Sequence, residues 1–549
     1  MGEHPVVGAG PEIQNVILET HTGDRNPNRR QMRWWMPATM LVLAGAASVY
    51  LRSREVPFLE PILIGIGLLT VLLLGLWYIF LTGLRWRTRL LLVLISAGLL
   101  AGIYFGVQRF TRMEGSIGGS GIPRLVWKWS PRREGPARAL KLEPEAASPA
   151  QPAGAVPLPE GAFPQFLGSD RSGILTGIPL RCDWDRSPPK AIWRQPIGLG
   201  WSAFAVSGQH AITQEQRRED ELIVCYELQT GRALWAHTNR VRFSETLGGD
   251  GPRATPTLHK GRVYAMGATG ILDCLEEATG QLIWSRDVLG ENHLSNLTWG
   301  KSCSPLLAQD LVVVTGGEQR EKTLLAYEAA TGKPVWQAGR DRASYCSPLL
   351  ASMRGQEQIL MVNGHSVTGH DPRNGEILWE YPWPDEFAKA TQPLVVDTNR
   401  VFIAAGYGVG CVMLNIERSA AGVWSATAHW KNRNLKPKFT NLVRRGHYVY
   451  GLDDGVLACV NLEQGNREWK EGRYGHGQIL LVDDLLLIQA ESGDVVLVEI
   501  SPEKPHERAR FRALQGKTWN NPVLLRDLLL VRNDQEAACY RLPLSAALP

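Results

Sequence analysis

Hydrophobic and polar positions follow two regimes along this chain. Between residues 34 and 107 three apolar runs, 34–51, 61–84 and 90–107, contain no charged residue. Each is close to the roughly 20 residues with which a helix crosses a hydrocarbon core of about 30 Å. From about residue 163 the pattern changes to short apolar strands broken by Gly-containing turns. The first regime predicts three transmembrane helices and the second an all-β domain.

Within the second regime one phrase returns seven times. It reads Cys225-Tyr-Glu-Leu-Gln-Thr-Gly231-Arg-Ala-Leu-Trp235, then Cys274-Leu-Glu-Glu-Ala-Thr-Gly280-Gln-Leu-Ile-Trp284. Further copies close at Trp336, Trp379 and Trp469, and two decayed copies end at Trp430 and near Phe511. Each copy is a strand, a tight Thr-Gly or Asn-Gly turn and a second strand ending on a bulky residue that must be buried. About 20 residues beyond most turns comes an inner strand opened by Pro, as in Cys303-Ser-Pro-Leu-Leu and Cys346-Ser-Pro-Leu-Leu. Pro is tolerated there because the first residue of a strand does not need its N–H. A further apolar strand makes four per unit, and the period of roughly 40–50 residues is that of blades around an axis.

Inner strands begin near Trp201, Ala254, Cys303, Cys346, Thr391, Phe439, His476 and Trp519, which gives eight blades. Seven is the alternative, because the copy from Gly410 to Trp430 is degenerate. The last unit lacks its closing Trp strand, and Lys190-Ala-Ile-Trp193-Arg-Gln-Pro supplies one from the other end of the domain. Such a closure removes two raw sheet edges. The expected architecture is therefore an eight-bladed β-propeller of four-stranded antiparallel blades over 163–543.

Ahead of it lie a cytoplasmic segment 1–33, the three helices within 34–107 and a Pro/Ala/Gly-rich linker over 108–162 that reads as a flexible tether. Two apolar runs beyond the first, and a polar stretch before it, favour uncleaved helices over a cleaved signal peptide. Arg25, Arg29, Arg30, Arg33, Arg85, Arg87 and Arg89 flank one side of the helices, against Arg52, Arg54, Arg109 and Arg112 on the other. This bias places the N-terminus in the cytoplasm and the propeller outside the inner membrane.

The repeats resemble the quinoprotein-like or PQQ repeat of pyrroloquinoline-quinone dehydrogenases and of the BamB-type assembly lipoproteins. Phe163-Pro-Gln-Phe-Leu-Gly-Ser-Asp-Arg-Ser-Gly173, Gly251-Pro-Arg-Ala-Thr-Pro256, Tyr407-Gly-Val-Gly-Cys411 and Gly516-Lys-Thr-Trp519 resemble segments of bacterial PQQ-like propellers. The resemblance implies a bacterial envelope protein and two function classes. One is a non-catalytic binding or assembly platform, whose partners are other envelope proteins or peptides. The other is a quinone- and calcium-dependent dehydrogenase of alcohols or sugars. The dehydrogenases carry adjacent cysteines beside the quinone, and here no two cysteines adjoin. No catalytic or metal residues are expected, and no cofactor. A sensor signalling through its helices is a weaker third reading, since about 30 cytoplasmic residues leave little room for an output domain.

The net charge of +5 gives no nucleic-acid footprint. Cys225, Cys274, Cys459 and Cys539 occupy one place in successive repeats, so they read as buried free thiols rather than bridged pairs. No Cys-x-x-Cys-His haem site, paired Cys-x-x-Cys or Gly-x-Ser-x-Gly elbow occurs. One constellation remains. Just ahead of successive inner strands stand Arg253, Trp299 with Lys301, Tyr345, Lys389, Lys438, Tyr474 with His476, and Lys517 with Trp519. Loops of this kind surround the mouth of a central channel. A ring of aromatic and cationic side chains there suits an anionic or sugar-like ligand or an acidic peptide. The competing reading is that these residues cap strands and fill blade tops.

Overall fold

A computed structural model of the chain describes residues 34–53, 59–81, 84–117, 122–130, 140, 162–320, 322–383 and 387–545. Arg25, Arg29, Arg30, Arg33 and Arg54, on which part of the orientation rests, and most of the tether lie outside these residues. Three helices come first, Trp35–Ser53, Leu59–Leu81 and Trp86–Phe110. The second and third are long and apolar enough to cross a membrane. Pro37 and Thr39 near its start and Arg52 in its last turn make the first less apolar. Hydroxyls of Thr39, Ser48 and Thr70 donate to carbonyls four residues earlier, so each polar group finds a partner inside its own helix. At the start of the tether the structure holds a two-stranded hairpin, Thr111–Ile117 with Ile122–Trp127. Its alternating Thr, Met, Ile and Val positions account for it.

The propeller has eight blades. Blade 1 spans Ala205–Ser207 to Ala233–Asn239, and blades 2 to 7 follow in chain order. Blade 8 takes its first three strands from Val523–Leu525, Leu528–Arg532 and Glu536–Arg541, and its outer strand is Lys190–Pro196. The ring thus closes as the missing Trp strand required. The degenerate copy is blade 5, whose outer two strands, Gly410–Arg418 and Trp424–Asn432, are nine residues each.

The repeated phrase has one physical cause. At five interfaces the closing Trp of one blade lies on the turn glycine of the next and donates its indole N–H to a carbonyl of that turn. Trp193 donates to Leu228 O (2.9 Å), Trp235 to Glu277 O (3.0 Å), Trp284 to Ala329 O (3.1 Å) and Trp336 to Pro372 O (3.1 Å). Trp430 does the same over Gly465, and Trp469 donates to Ser501 O of a turn that has no glycine. The turn glycine is required twice over. Gly280 has φ +71°, and a Cβ there would sit 2.4 Å from the Trp235 ring. The chain of contacts breaks between blades 4 and 5, where Trp379 bonds Gln358 of its own blade, and between blades 7 and 8, where Phe511 stands in place of the Trp. Across the strand pair the Trp faces the repeat cysteine, as in Cys225 opposite Trp235 and Cys539 opposite Trp193. All eight cysteines are free.

The segment 163–175 crosses the axis and closes one end of the channel. Phe163 bridges to Val206 of blade 1, and Pro164 O accepts from Leu258 of blade 2. Arg171, 3% exposed, donates to Pro348 O (2.9 Å) and to Pro305 O. Gln392 of blade 5 donates to Arg171 O (3.1 Å), and Ile174–Leu175 runs parallel to the inner strand of blade 7. A buried guanidinium is tolerated here because neighbouring carbonyls satisfy it.

Candidate functional site

With one end plugged, the other becomes a blind pocket of about 180 Å³. Its walls come from the extended segments that lead into the inner strands. Side chains alternate in an extended segment, so every second residue faces the channel. Three residues before the positions of Phe204, Pro256, Pro305, Pro348, Pro393, Leu442 and Pro522 stand Trp201, Arg253, Ser302, Tyr345, Ala390, Phe439 and Trp519. All seven line the pocket. One residue before those positions, Ser347, Asn441 and Asn521 line it as well, and so does Gln478, its counterpart in blade 7. The residues in between turn into the blades: Ala254, Cys303, Cys346, Thr391 and Asn520 are all buried. Phe166 of the plug, Trp299, Tyr407 and Lys438 complete the cup.

The aromatic rings touch one another. Trp519 lies 4.8 Å from Trp201 and 4.9 Å from Phe439, and Trp299 lies 5.3 Å from Tyr345 and 6.1 Å from Tyr407. Hydrogen bonds pin them: Trp201 donates to Gly248 O (2.6 Å) and Trp519 to Glu491 Oε1 (2.9 Å). Three cations rest against the rings. Lys517 Nζ is 3.8 Å from the Trp519 centroid and 4.9 Å from Trp201, Lys438 Nζ is 5.4 Å from Tyr407, and Arg253 covers Phe243 at 4.6 Å. Burial pulls Arg253 down to about 10 and lowers Lys438, which Asp454 and Glu491 partly restore. Among the described residues no carboxylate lines the pocket.

Of the ten residues picked from sequence, the structure brings Arg253, Trp299, Tyr345, Lys438 and Trp519 into the pocket, with Lys517 beside it. The rest stand elsewhere. Lys301 is buried in a cage of acceptors, donating to Thr315 O (2.8 Å) and Thr315 Oγ1 (2.6 Å). Lys389 donates to Gly364 O (2.5 Å) and lines a neighbouring cavity of about 270 Å³ with Glu318, Arg342 and Phe387. Both lysines lie one residue before the channel-facing position, so the alternation turns them away. Tyr474 is buried and donates to Glu507 Oε2 (3.0 Å). His476 is buried behind Phe439, its Nε2 3.3 Å from Lys438 Nζ. Burial, then Lys438 and Arg473, push His476 down to about 3, so it is neutral at neutral pH. Sequence reasoning missed Trp201, Ser302, Tyr407 and Phe439; the two-residue alternation would have found Trp201, Ser302 and Phe439. Tyr407 enters from a turn of the degenerate blade.

Among the described residues no three His, Cys, Asp or Glu side chains stand together to hold a metal ion. Calcium takes carboxylate and carbonyl oxygens, and the described lining offers amides and hydroxyls without a carboxylate. These residues do not fit a calcium-bridged quinone.

Eight blades, five of whose interfaces carry tryptophan on a turn glycine, with a blind aromatic cup on the axis, define a repeat propeller. Residues 218–471 match the family described as outer membrane protein assembly factor BamB. The BamB of Yersinia pestis is 23% identical over 430 residues, covering 74% of this chain and 98% of that protein. The BamB of Bordetella pertussis is 21% identical over 352 residues, 61% of this chain and 77% of that one. Among solved structures, Moraxella catarrhalis BamB is similar at 14% identity and TM-score 0.47, covering 64% of this chain and 99% of that one. A europium-containing methanol dehydrogenase is similar at 11% identity and TM-score 0.44, covering 70% and 98%. The chain carries a PQQ-like β-propeller of the BamB type.

Proposed function

We propose that the chain is a membrane-anchored binding and assembly platform, non-catalytic and without a cofactor. Its propeller lies on the extracytoplasmic side of the inner membrane and its partners are other envelope proteins or their peptides. The observation that carries this reading is the axial cup: aromatic walls, cationic side chains and amide groups, with no carboxylate among the described lining residues. Such a surface recognises a ligand and lacks a general base or hard-cation cage for oxidising one. The arginine bias around the helices supports the orientation, and the assembly factors to which the chain is similar support the platform class. Affinity capture from gently solubilised membranes tests it. Stoichiometric recovery of an envelope protein is expected, and repeated recovery of the chain alone refutes the platform. The dehydrogenase alternative has its own assay: turnover of alcohols or aldoses by dye reduction after loading with quinone and calcium would replace this reading.

A further inference from the structure

We propose that the axial cup receives one tyrosine side chain from an acidic peptide segment of the partner. The inference rests on the platform reading and names what the platform grips. Three features of the cup select this ligand.

The first is size. A cavity of about 180 Å³ compares with the roughly 150 Å³ that holds one benzene, so the cup takes a single ring. Trp201, Trp299, Tyr345, Tyr407, Phe439 and Trp519 surround that space with faces and edges for an aromatic guest.

The second is a pair of acceptors set into the wall. Gln478, 2% exposed, donates its Nε2 to Phe439 O (3.2 Å) and Trp519 O (2.9 Å), which fixes its amide the right way round. Its Oε1 is buried and accepts no hydrogen bond from any described residue, and the same holds for Asn521 Oδ1. Both residues line the cup, and both follow the mouth residues along the chain, so they lie deeper in the channel. Both oxygens are closed to water, and a guest O–H that reaches either one gives it the partner that a phenyl ring cannot.

The third is charge. Lys438 and Arg253 line the cup and Lys517 stands against Trp201 and Trp519, while the carboxylates that act on them, Glu245, Asp454 and Glu491 among them, stand outside the described lining. Glu245 Oε2 accepts from the backbone N–H of Leu247 and Gly248. Glu491 accepts from Trp519 Nε1 and from the N–H of His476. The charged side chains of the described lining are thus both cations, and acidic residues flanking the tyrosine complement them.

The test uses the solubilised full chain and a fluorescein-labelled peptide, Glu-Glu-Gly-Tyr-Gly-Glu-Glu, followed by anisotropy at low salt. Saturable binding is expected. Replacing Tyr by Phe should weaken it about tenfold, the worth of one hydrogen bond to a buried acceptor. Replacing Tyr by Ala, or all four Glu by Lys, should abolish it. In Gln478→Met the preference for Tyr over Phe should shrink; because that variant can also fail to fold, the peptide series on the unaltered protein stands as the independent measure. Equal affinity for the Tyr, Phe and Ala peptides overturns the proposal. So does N-acetyl-tyrosine amide binding as tightly as the peptide, which would assign the cup to a small aromatic molecule. If no peptide binds yet an envelope protein is still captured, the cup assignment fails and the platform stands. If the peptide series behaves as expected and nothing is captured, the platform fails and the cup assignment stands.

Discussion

Gly280→Ala puts the tryptophan-on-glycine contact to a quantitative test, because the protein contains its own control. Gly280 and Gly422 both occupy turns between the third and fourth strands of a blade, with φ +71° and +84°. An L-residue in that left-handed region costs about 1–2 kcal/mol wherever it stands. At Gly422 nothing more is added, because the nearest atom to a new Cβ is Arg418 Nη2 at 3.9 Å, the tip of a flexible side chain. At Gly280 the Cβ falls 2.4 Å from Trp235 Cε3. That ring is 7% exposed and tied to Glu277 O at 3.0 Å, so it cannot swing away without losing its bond. Overpacking of this kind costs about 1–3 kcal/mol, which brings Gly280→Ala to roughly 2–5 kcal/mol by summing the two ranges. Trp235→Ala alone should cost about 3–5 kcal/mol. In the Trp235→Ala background the clash is gone, and Gly280→Ala should again cost only about 1–2 kcal/mol. The double-mutant cycle therefore carries a coupling of about 1–3 kcal/mol. Urea unfolding of the solubilised protein, at equal m-values, supplies the four free energies. Equal costs at Gly280 and Gly422, or a cycle additive within about 0.5 kcal/mol, would refute the interlock.

Four further outcomes are expected. A chain beginning near Gly200 lacks Lys190–Pro196 and should aggregate, whereas one beginning near Gly161 should be soluble and monomeric; equal solubility and equal melting temperatures would show that this strand does not complete blade 8. His476 is held at about 3 against an ordinary 6.5, between Lys438, Arg473 and Glu491, so the unfolded chain binds the extra proton between these values. Stability should then fall as pH drops through that window, by up to about 1.4 kcal/mol per pH unit, and His476→Gln should flatten the acid limb of a melting-temperature profile. A periplasm-dependent reporter should be active after Pro549 and silent at the N-terminus, and the reverse pattern would invert the orientation. Trp299→Ala should barely change the melting temperature, while Trp519→Ala, which removes contacts to Trp201 and Phe439 and a bond to Glu491, should lower it measurably; identical melts would show that the second ring bears no packing load.

The blades were legible from sequence because five of the eight interfaces make the same demand. A flat ring with an N–H must meet a residue with positive φ and no side chain, and only Trp and Gly supply the pair. Where the demand lapses the signal does too. Trp379 turns to Gln358, blade 5 carries Ser419–Gly422 in place of a Thr-Gly turn, and the copy looks degenerate although the blade is whole. Ring closure was legible for a related reason: Cys539 lacked a Trp opposite it, and Trp193 was left over.

The cup was half legible, and the reason lies in side-chain direction rather than in residue type. Lys301 and Ser302 are neighbours in the same loop, and by chemistry the lysine is the better candidate for a binding site. Pleating sends Ser302 to the axis and Lys301 into its own blade, where carbonyls of Thr315 and Gly316 take its charge. The same reversal separates Lys389 from Ala390. Lys438 breaks the rule, standing at the inward-turned position yet reaching the cup, because Lys436 already fills the blade interior by pairing with Asp453 at 2.9 Å. Of two lysines two residues apart, the buried carboxylate holds one and the other lines the cup. Removing it with Asp453→Asn leaves Lys436 buried without its counter-charge, so the change should loosen blade 6 and alter the rim of the cup together.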